Sequence, residues 1–160
     1  MRIRPAVKED ARQLEQVFQA AYAGLAVPSS EFADFKHELH ASFAENTPYR
    51  IHFFVIEHAQ QIVSFAGIAN SPFYEGAWEL RWGTTRPEFQ KQGLMKALTD
   101  YRIDFAIKET GPVPGIIQIA ARQPKLYLER GFEALFKRGP ENEALYLVKR
   151  FNQAYDQLQR

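Results

Sequence analysis

The chain has 160 residues, 46% of them hydrophobic and 14% aromatic, which is enough for one sizeable core and too apolar for a disordered segment. Its 20 basic residues are balanced by 19 acidic ones for a net charge of +1, and no basic block stands out, which argues against a nucleic-acid or anionic-membrane surface. With no cysteine, disulfides, thiolate zinc sites and a Cys nucleophile are excluded. The composition fits a soluble, cytoplasmic protein, as do an N-terminus (Met1 to Pro5) without the apolar core of a signal peptide and the lack of any run long enough to span a bilayer.

In chain order, residues 2–6 read as a first strand. Acids at Glu9 and Asp10 open a helix to about Ala23, with Ala11, Leu14, Val17, Phe18, Ala21 and Leu25 as its buried stripe and Gly24 as its stop. Pro28-Ser29-Ser30 then breaks the chain and caps a second helix, to about Ala44, in which Phe32, Phe35, Leu39 and Phe43 recur every three or four residues. His37 and His40 share a face of it; two ligands are too few for a metal, and they read as exposed. Asn46-Thr47-Pro48 is the next punctuation. Residues 51–57 and 62–68 are apolar runs without clean alternation, which predicts an antiparallel hairpin buried on both faces. After a loop over residues 70–76, residues 78–85 form a strand with Trp78, Leu80 and Trp82 on one face and Glu79, Arg81, Gly83 and Thr85 on the other. Gly83 inside it marks a bulge or a close backbone contact.

Leu94, Ala97, Leu98, Tyr101 and Phe105 predict a long helix packed on a sheet. Gln92, Gly93 and Leu94 therefore sit where a loop leaving a strand becomes a helix N-terminus. The first N–H groups of a helix lack internal partners, and its dipole favours negative charge there. Gly93 lets a ligand approach the main chain, and Gln90, Lys91 and Lys96 add polar and cationic groups. Such a place suits an anion, and a pyrophosphate well. Further on, Gly111-Pro112-Val113-Pro114-Gly115 is a rigid connection and residues 116–120 a short buried strand. Pro124 opens and Gly131 closes a brief helix over residues 125–130. Residues 132–137 and 144–150 are two last strands around the turn Gly139-Pro140-Glu141-Asn142, and the tail from Phe151 reads either as a helix with Phe151, Tyr155 and Leu158 on one side or as a frayed end. The resulting order predicts an α/β (α+β) fold with a mixed, mostly antiparallel sheet of about seven strands flanked by four helices. Residues 1–150 read as a single domain and 151–160 as a tail.

The spacing Gln90-x-x-Gly93-x-Met95 resembles the acetyl-CoA loop of the GNAT N-acetyltransferase superfamily, which runs Arg or Gln, two residues, Gly, one residue, then Gly or Ala. The flanking Pro87-Glu88-Phe89 and Ala97-Leu98 are similar as well. Met95 departs, standing where the family usually has a small residue; its N–H still donates if the side chain points away from the phosphates. Tyr127, three residues, then Gly131-Phe132 is a second match, in the expected order along the chain. The resemblance implies a GNAT-like domain with acetyl-CoA as co-substrate and no metal. Gln90, Lys91, Gln92, Gly93, Leu94, Met95 and Lys96 would hold the pyrophosphate, and Thr84 and Thr85 would line the pantetheine on a strand that bulges and splays.

A phenol with a reference pKa of about 10 suits protonation of a departing alkyl thiolate, which makes Tyr127 the candidate general acid. The alternative is a core tyrosine whose hydroxyl only finds a hydrogen bond. The acceptor must react as an uncharged amine, and Glu79 could draw its proton through a water; equally, Glu79 could be an ion-pair partner of Arg81 on the same strand face. Glu75, His52 and His58 are weaker candidates, and strand N–H groups near Thr84 and Thr85 could stabilise the oxyanion. No Gly-x-Ser-x-Gly, P-loop or dinucleotide pattern is present, so direct attack in a ternary complex is expected. The expected activity is acetyl transfer from acetyl-CoA to a primary amine on a small molecule or peptide, with a homodimer compatible with the aromatic content. A catalytically inactive CoA-binding sensor or a protein-interaction module on the same fold are the alternatives.

Overall fold

The computed structural model describes residues 1–44, 50–137 and 144–152. Its elements are β1 (Arg2–Pro5), α1 (Ala11–Tyr22), α2 (Ser29–Ser42), β2 (Ile51–His58), β3 (Gln61–Asn70), β4 (Ala77–Thr85), α3 (Leu94–Thr110), β5 (Gly115–Ala121), α4 (Lys125–Leu128), β6 (Glu133–Lys137) and β7 (Leu145–Phe151). The strands follow the order β1-β2-β3-β4-β5-β7-β6. Pairing is antiparallel at β1–β2, β2–β3, β5–β7 and β6–β7 and parallel at β4–β5. The expected class, a mostly antiparallel sheet of seven strands with four helices, is the observed one. Among the described residues no helix is long and apolar enough to cross a membrane.

The chain divides into two compact units. The first comprises Met1–Ala69 and Arg81–Arg102. The β2–β3 hairpin is buried on both faces, as its unalternating sequence predicts. Its turn, Ala59-Gln60, has left-handed φ of 48° and 64°, the sign pattern of a type I′ turn that matches strand twist. Against it, α1 lays Leu14, Val17 and Phe18, and α2 lays Phe35 and Leu39, onto Phe53, Val55 and Phe65. The Phe35 ring stacks on Phe18 at 4.6 Å and on Phe65 at 5.2 Å. Each such side chain removed from water contributes about 1.5–3 kcal/mol. Leu25 stays exposed because α1 ends at Tyr22 and Gly24, at φ +79°, turns the chain away. Ahead of α1, Asp10 accepts the Val7 N–H at 2.9 Å and a two-pronged bond from Arg4 at 2.6 and 3.1 Å.

The second unit comprises Asn70–Leu80 and Ile103–Arg160. Here Ala77, Trp78 and Glu79 of β4 pair with Ile116, Ile117 and Gln118 of β5. The Trp78 indole donates to the Thr110 hydroxyl at 2.8 Å, tying β4 to the end of α3. Gly115 starts β5 where the Phe151 ring would lie 2.1 Å from any Cβ. Phe151, expected to begin a helical or frayed tail, is instead the last residue of β7 and is buried. Tyr155 and Leu158 lie outside the described residues, as do the turn Gly139-Pro140-Glu141-Asn142 and the break at Asn46-Thr47-Pro48.

Candidate functional site

The loop between β4 and α3 is built by short-range rules. The Arg86 N–H holds the Val63 carbonyl at 2.9 Å, and Pro87 opens a single 3-10 turn closed by Phe89 N–H to Arg86 O at 2.9 Å. Gln90 Nε2 then donates back to the Thr85 carbonyl at 3.2 Å, and Gln92 Nε2 to that of Glu88 at 3.4 Å. Lys91 and Gly93 are both left-handed, at φ 61° and 77°, a conformation that only glycine adopts without cost. The first helical bond runs from Ala97 N–H to the Gly93 carbonyl at 3.0 Å. The N–H groups of Leu94, Met95 and Lys96 precede it and have no acceptor in the helix.

A Cβ on Gly93 would meet nothing within 4 Å, so the space before this helix end is open. Gln90, Lys91, Gln92, Gly93 and Lys96 are exposed around it, while Leu94 is buried and anchors the turn. The helix dipole and two ammonium groups make the place electropositive. Because both glutamine amides are bound to loop carbonyls, the main chain, Lys91 and Lys96 are what it offers an anion.

Strand β4, which delivers the chain to this loop, is irregular at one residue. Trp82 has φ 40°, a rare conformation for so bulky a side chain. Alternation breaks there: Trp78 and Leu80 are buried before it, Thr84 and Thr85 both buried after it. The irregularity expected at Gly83 thus falls on the Trp82 backbone, and Gly83 serves a different purpose. A Cβ on it would stand 3.0 Å from Met95 Sδ and 3.4 Å from Met95 Cε. The Met95 side chain therefore lies over β4, and the large residue in the motif is matched by an absent one across from it. The Ser64 hydroxyl donates to the Thr84 carbonyl at 3.0 Å, and its oxygen lies 2.7 Å from the Thr85 hydroxyl. The Thr85 hydroxyl is thereby bound within the sheet, and its carbonyl is taken by Gln90.

The two catalytic candidates belong to the second unit. Glu79 is half-buried in β4 with its Cα opposite that of Gln118. Gln118 Oε1 accepts the Tyr146 hydroxyl at 2.7 Å. The Arg81 guanidinium, two positions along the strand, binds Glu38 of α2. Tyr127 is half-buried in α4, whose first bond is Tyr127 N–H to Pro124 O at 2.9 Å. Gly131, at φ 75°, ends that turn, and the Phe132 N–H returns to the Tyr127 carbonyl at 3.1 Å. The buried Phe132 ring sits edge-on to Tyr127 at 5.6 Å. The Gly-Phe spacing is therefore what closes the turn that carries the tyrosine.

Glu75 and His58 are exposed, and the His58 ring lies 5.6 Å from that of Phe89. His40 binds Glu15 at 3.0 Å. No group of three or more His, Asp or Glu among the described residues could hold a metal ion. Two charged residues escaped sequence reasoning. Arg102 is 1% exposed. Its Nη1 donates to the carbonyls of Gly67 at 2.8 Å and Arg81 at 3.4 Å, and its Nη2 to Thr99 Oγ1 at 3.2 Å. Its spacing of four from Leu98, itself four from Leu94, was the available signal. Glu38 accepts hydrogen bonds from Arg81 and from the Trp82 indole.

The sequence model of the acetyltransferase (GNAT) family matches residues 12–132. No curated protein matches the chain. Among solved structures, a GNAT-family protein from Desulfovibrio desulfuricans superposes with a TM-score of 0.71 at 19% identity, covering 94% of this chain and 97% of that one. A GNAT-family acetyltransferase from Brucella melitensis, in complex with acetyl-CoA, gives 0.71 at 17% identity over 94% and 87%. The PaiA N-acetyltransferase of Thermoplasma acidophilum, in complex with coenzyme A, gives 0.67 at 16% identity over 94% and 98%. At such identities these likenesses speak for the fold.

Proposed function

Because the chain belongs to the acetyltransferase (GNAT) family, we propose that it transfers the acetyl group of acetyl-CoA to a primary amine, by direct attack in a ternary complex. The observation that carries this is the start of α3: open space in front of a left-handed Gly93, with three N–H groups ahead of the first helical bond. Those features fit a pyrophosphate, with Lys91 and Lys96 adding charge and Thr84 and Thr85 lining the path of the pantetheine arm. The co-substrate supplies an acetyl thioester, already activated toward amines. Glu79 takes the proton that the acceptor ammonium must lose, directly or through a water. As the C–N bond forms and the C–S bond breaks, Tyr127 gives its hydroxyl proton to the departing sulfur, and the second proton that the nitrogen loses on becoming an amide restores the Tyr127 phenol by way of solvent. No side chain forms a covalent bond to the acyl group.

Calorimetric titration with acetyl-CoA tests the cofactor half. Binding at micromolar dissociation constants or tighter (about −8 kcal/mol) is expected. Gly93→Val should abolish it while costing the fold only about 1–2 kcal/mol, because the strain is conformational and a Cβ there meets nothing within 4 Å. Tyr127→Phe tests the chemistry: turnover with a responsive amine should fall about 10²–10⁴-fold with acetyl-CoA affinity unchanged. Tight binding with no turnover across an amine screen would make the chain a CoA-binding module, and no binding would end the proposal.

A further inference from the structure

The Glu38 carboxylate accepts hydrogen bonds from two consecutive strand residues: Arg81, through Nε at 2.9 Å and through Nη2, and Trp82, through its indole Nε1. Consecutive side chains of a regular strand point to opposite faces, so one carboxylate cannot serve both. Here it does so because Trp82 is left-handed, at φ 40°. The shared carboxylate and the left-handed backbone thus coincide at this residue. A second clamp acts on the same peptide, where the Arg81 carbonyl is taken by Arg102. The Trp82 ring is held edge-on to Phe35 at 5.5 Å, and the Arg81 guanidinium lies 5.8 Å from its centre.

We propose that Glu38 is a positioning residue that latches α2 to β4, fixes the left-handed turn at Trp82, and so sets the course of the strand that delivers the chain to the cofactor loop. The inference rests on the reading of that loop as a CoA site. Without the carboxylate, Trp82 relaxes toward extended backbone. The side chains of Thr84 and Thr85 then change face, and Gly83 no longer lies beneath Met95.

The test compares Glu38→Ala and Glu38→Gln with Arg4→Ala, which removes the ion pair to Asp10 and Glu57 in the same unit and serves as a control for general loosening. Hydrogen exchange over residues 81–85 is measured on the unliganded proteins, and acetyl-CoA binding by calorimetry. In Glu38→Ala, exchange in that segment should quicken and affinity should fall about tenfold, the effect of one charge-assisted hydrogen bond. Glu38→Gln, which keeps an acceptor for the indole, should recover most of both. Arg4→Ala should lower the melting temperature and change neither. If Glu38→Ala matches Arg4→Ala in exchange and in affinity, the latch is overturned. If the exchange effect appears but the unsubstituted protein does not bind acetyl-CoA, the latch stands and the cofactor reading falls.

Discussion

Replacing Gly83 by alanine isolates the role of Met95. The new methyl would sit 3.0 Å from Met95 Sδ and 3.4 Å from Cε, against about 3.5–4.0 Å for a relaxed contact. Gly83 is not left-handed, so alanine is conformationally at ease there and gains about 0.4–1 kcal/mol by restricting the unfolded chain. Opposing this, the thioether must leave its rotamer or overpack, at about 1–3 kcal/mol. The net loss is about 1 kcal/mol, a fall in Tm of about 2–4 °C for a chain of this size. Met95→Ala alone loses the packing of a half-buried side chain, about 1–2 kcal/mol. If the two residues fill one volume, the double variant is less destabilised than the sum by about 1 kcal/mol. Its acetyl-CoA affinity, weakened in Gly83→Ala by displacement of the first turn of α3, should return to the original value. Scanning calorimetry and titration of the four proteins measure both quantities. Strictly additive changes would refute the idea that Met95 is accommodated by Gly83.

Two further predictions concern stability. Converting Ala59-Gln60 to Asn-Gly places residues that favour left-handed backbone where φ is 48° and 64°; a gain of about 1–2 kcal/mol in a thermal or urea melt is expected, and no gain would mean the turn relaxes in solution. At Asp10, burial pushes the carboxyl up, but the hydrogen bonds from Arg4 and the Val7 N–H, with the Arg4 charge, more than reverse it and hold the group below its ordinary 3.8. A depressed carboxyl stabilises the fold above its unfolded pKa, and that stabilisation is lost as pH falls through the folded value. Asp10→Asn should therefore melt earlier than the parent at pH 7, by the equivalent of about 2 kcal/mol, and the gap should close as pH falls below the ordinary 3.8 and through the lowered folded value. A gap independent of pH would show that the charge on Asp10 is not what matters.

Much of this architecture was legible in the sequence because it follows from local rules. The β2–β3 hairpin announced double-sided burial by failing to alternate, and Leu14, Val17, Phe18, Phe35 and Leu39 face the core where their spacing put them. The helix start at Gly93 was readable from Pro87 and the glycine, and the Tyr127 turn from Gly131-Phe132. The misreadings cluster in α3 and β4. Ala97, expected in the buried stripe, is exposed, and Arg102 is in the core instead. A hydrophobic pattern gives an arginine to solvent. What brings this one inside is a pair of carbonyls, on Gly67 and Arg81, that come together only in the assembled sheet. Glu38 and the turn at Trp82 share this property, since each is explained by the other and neither by its own neighbours in sequence.

Arg102 also acts as a ruler. Gly93 and Arg102 are separated by nine positions, a rise of about 13 Å along a helix. One end is set by the left-handed glycine and the other by carbonyls that accept from a guanidinium with 1% exposure. Inserting a single residue between them would swing the guanidinium by about 100°, away from the carbonyls, and strand its charge among apolar neighbours. Past Arg102 the helix is held by other contacts: Ile103 and Ala106 are buried, the Phe105 ring lies edge-on to Trp78 at 5.8 Å, and Thr110 accepts the Trp78 indole. A length change between Gly93 and Arg102 therefore puts the helix start that faces the cofactor loop out of register with the buried arginine.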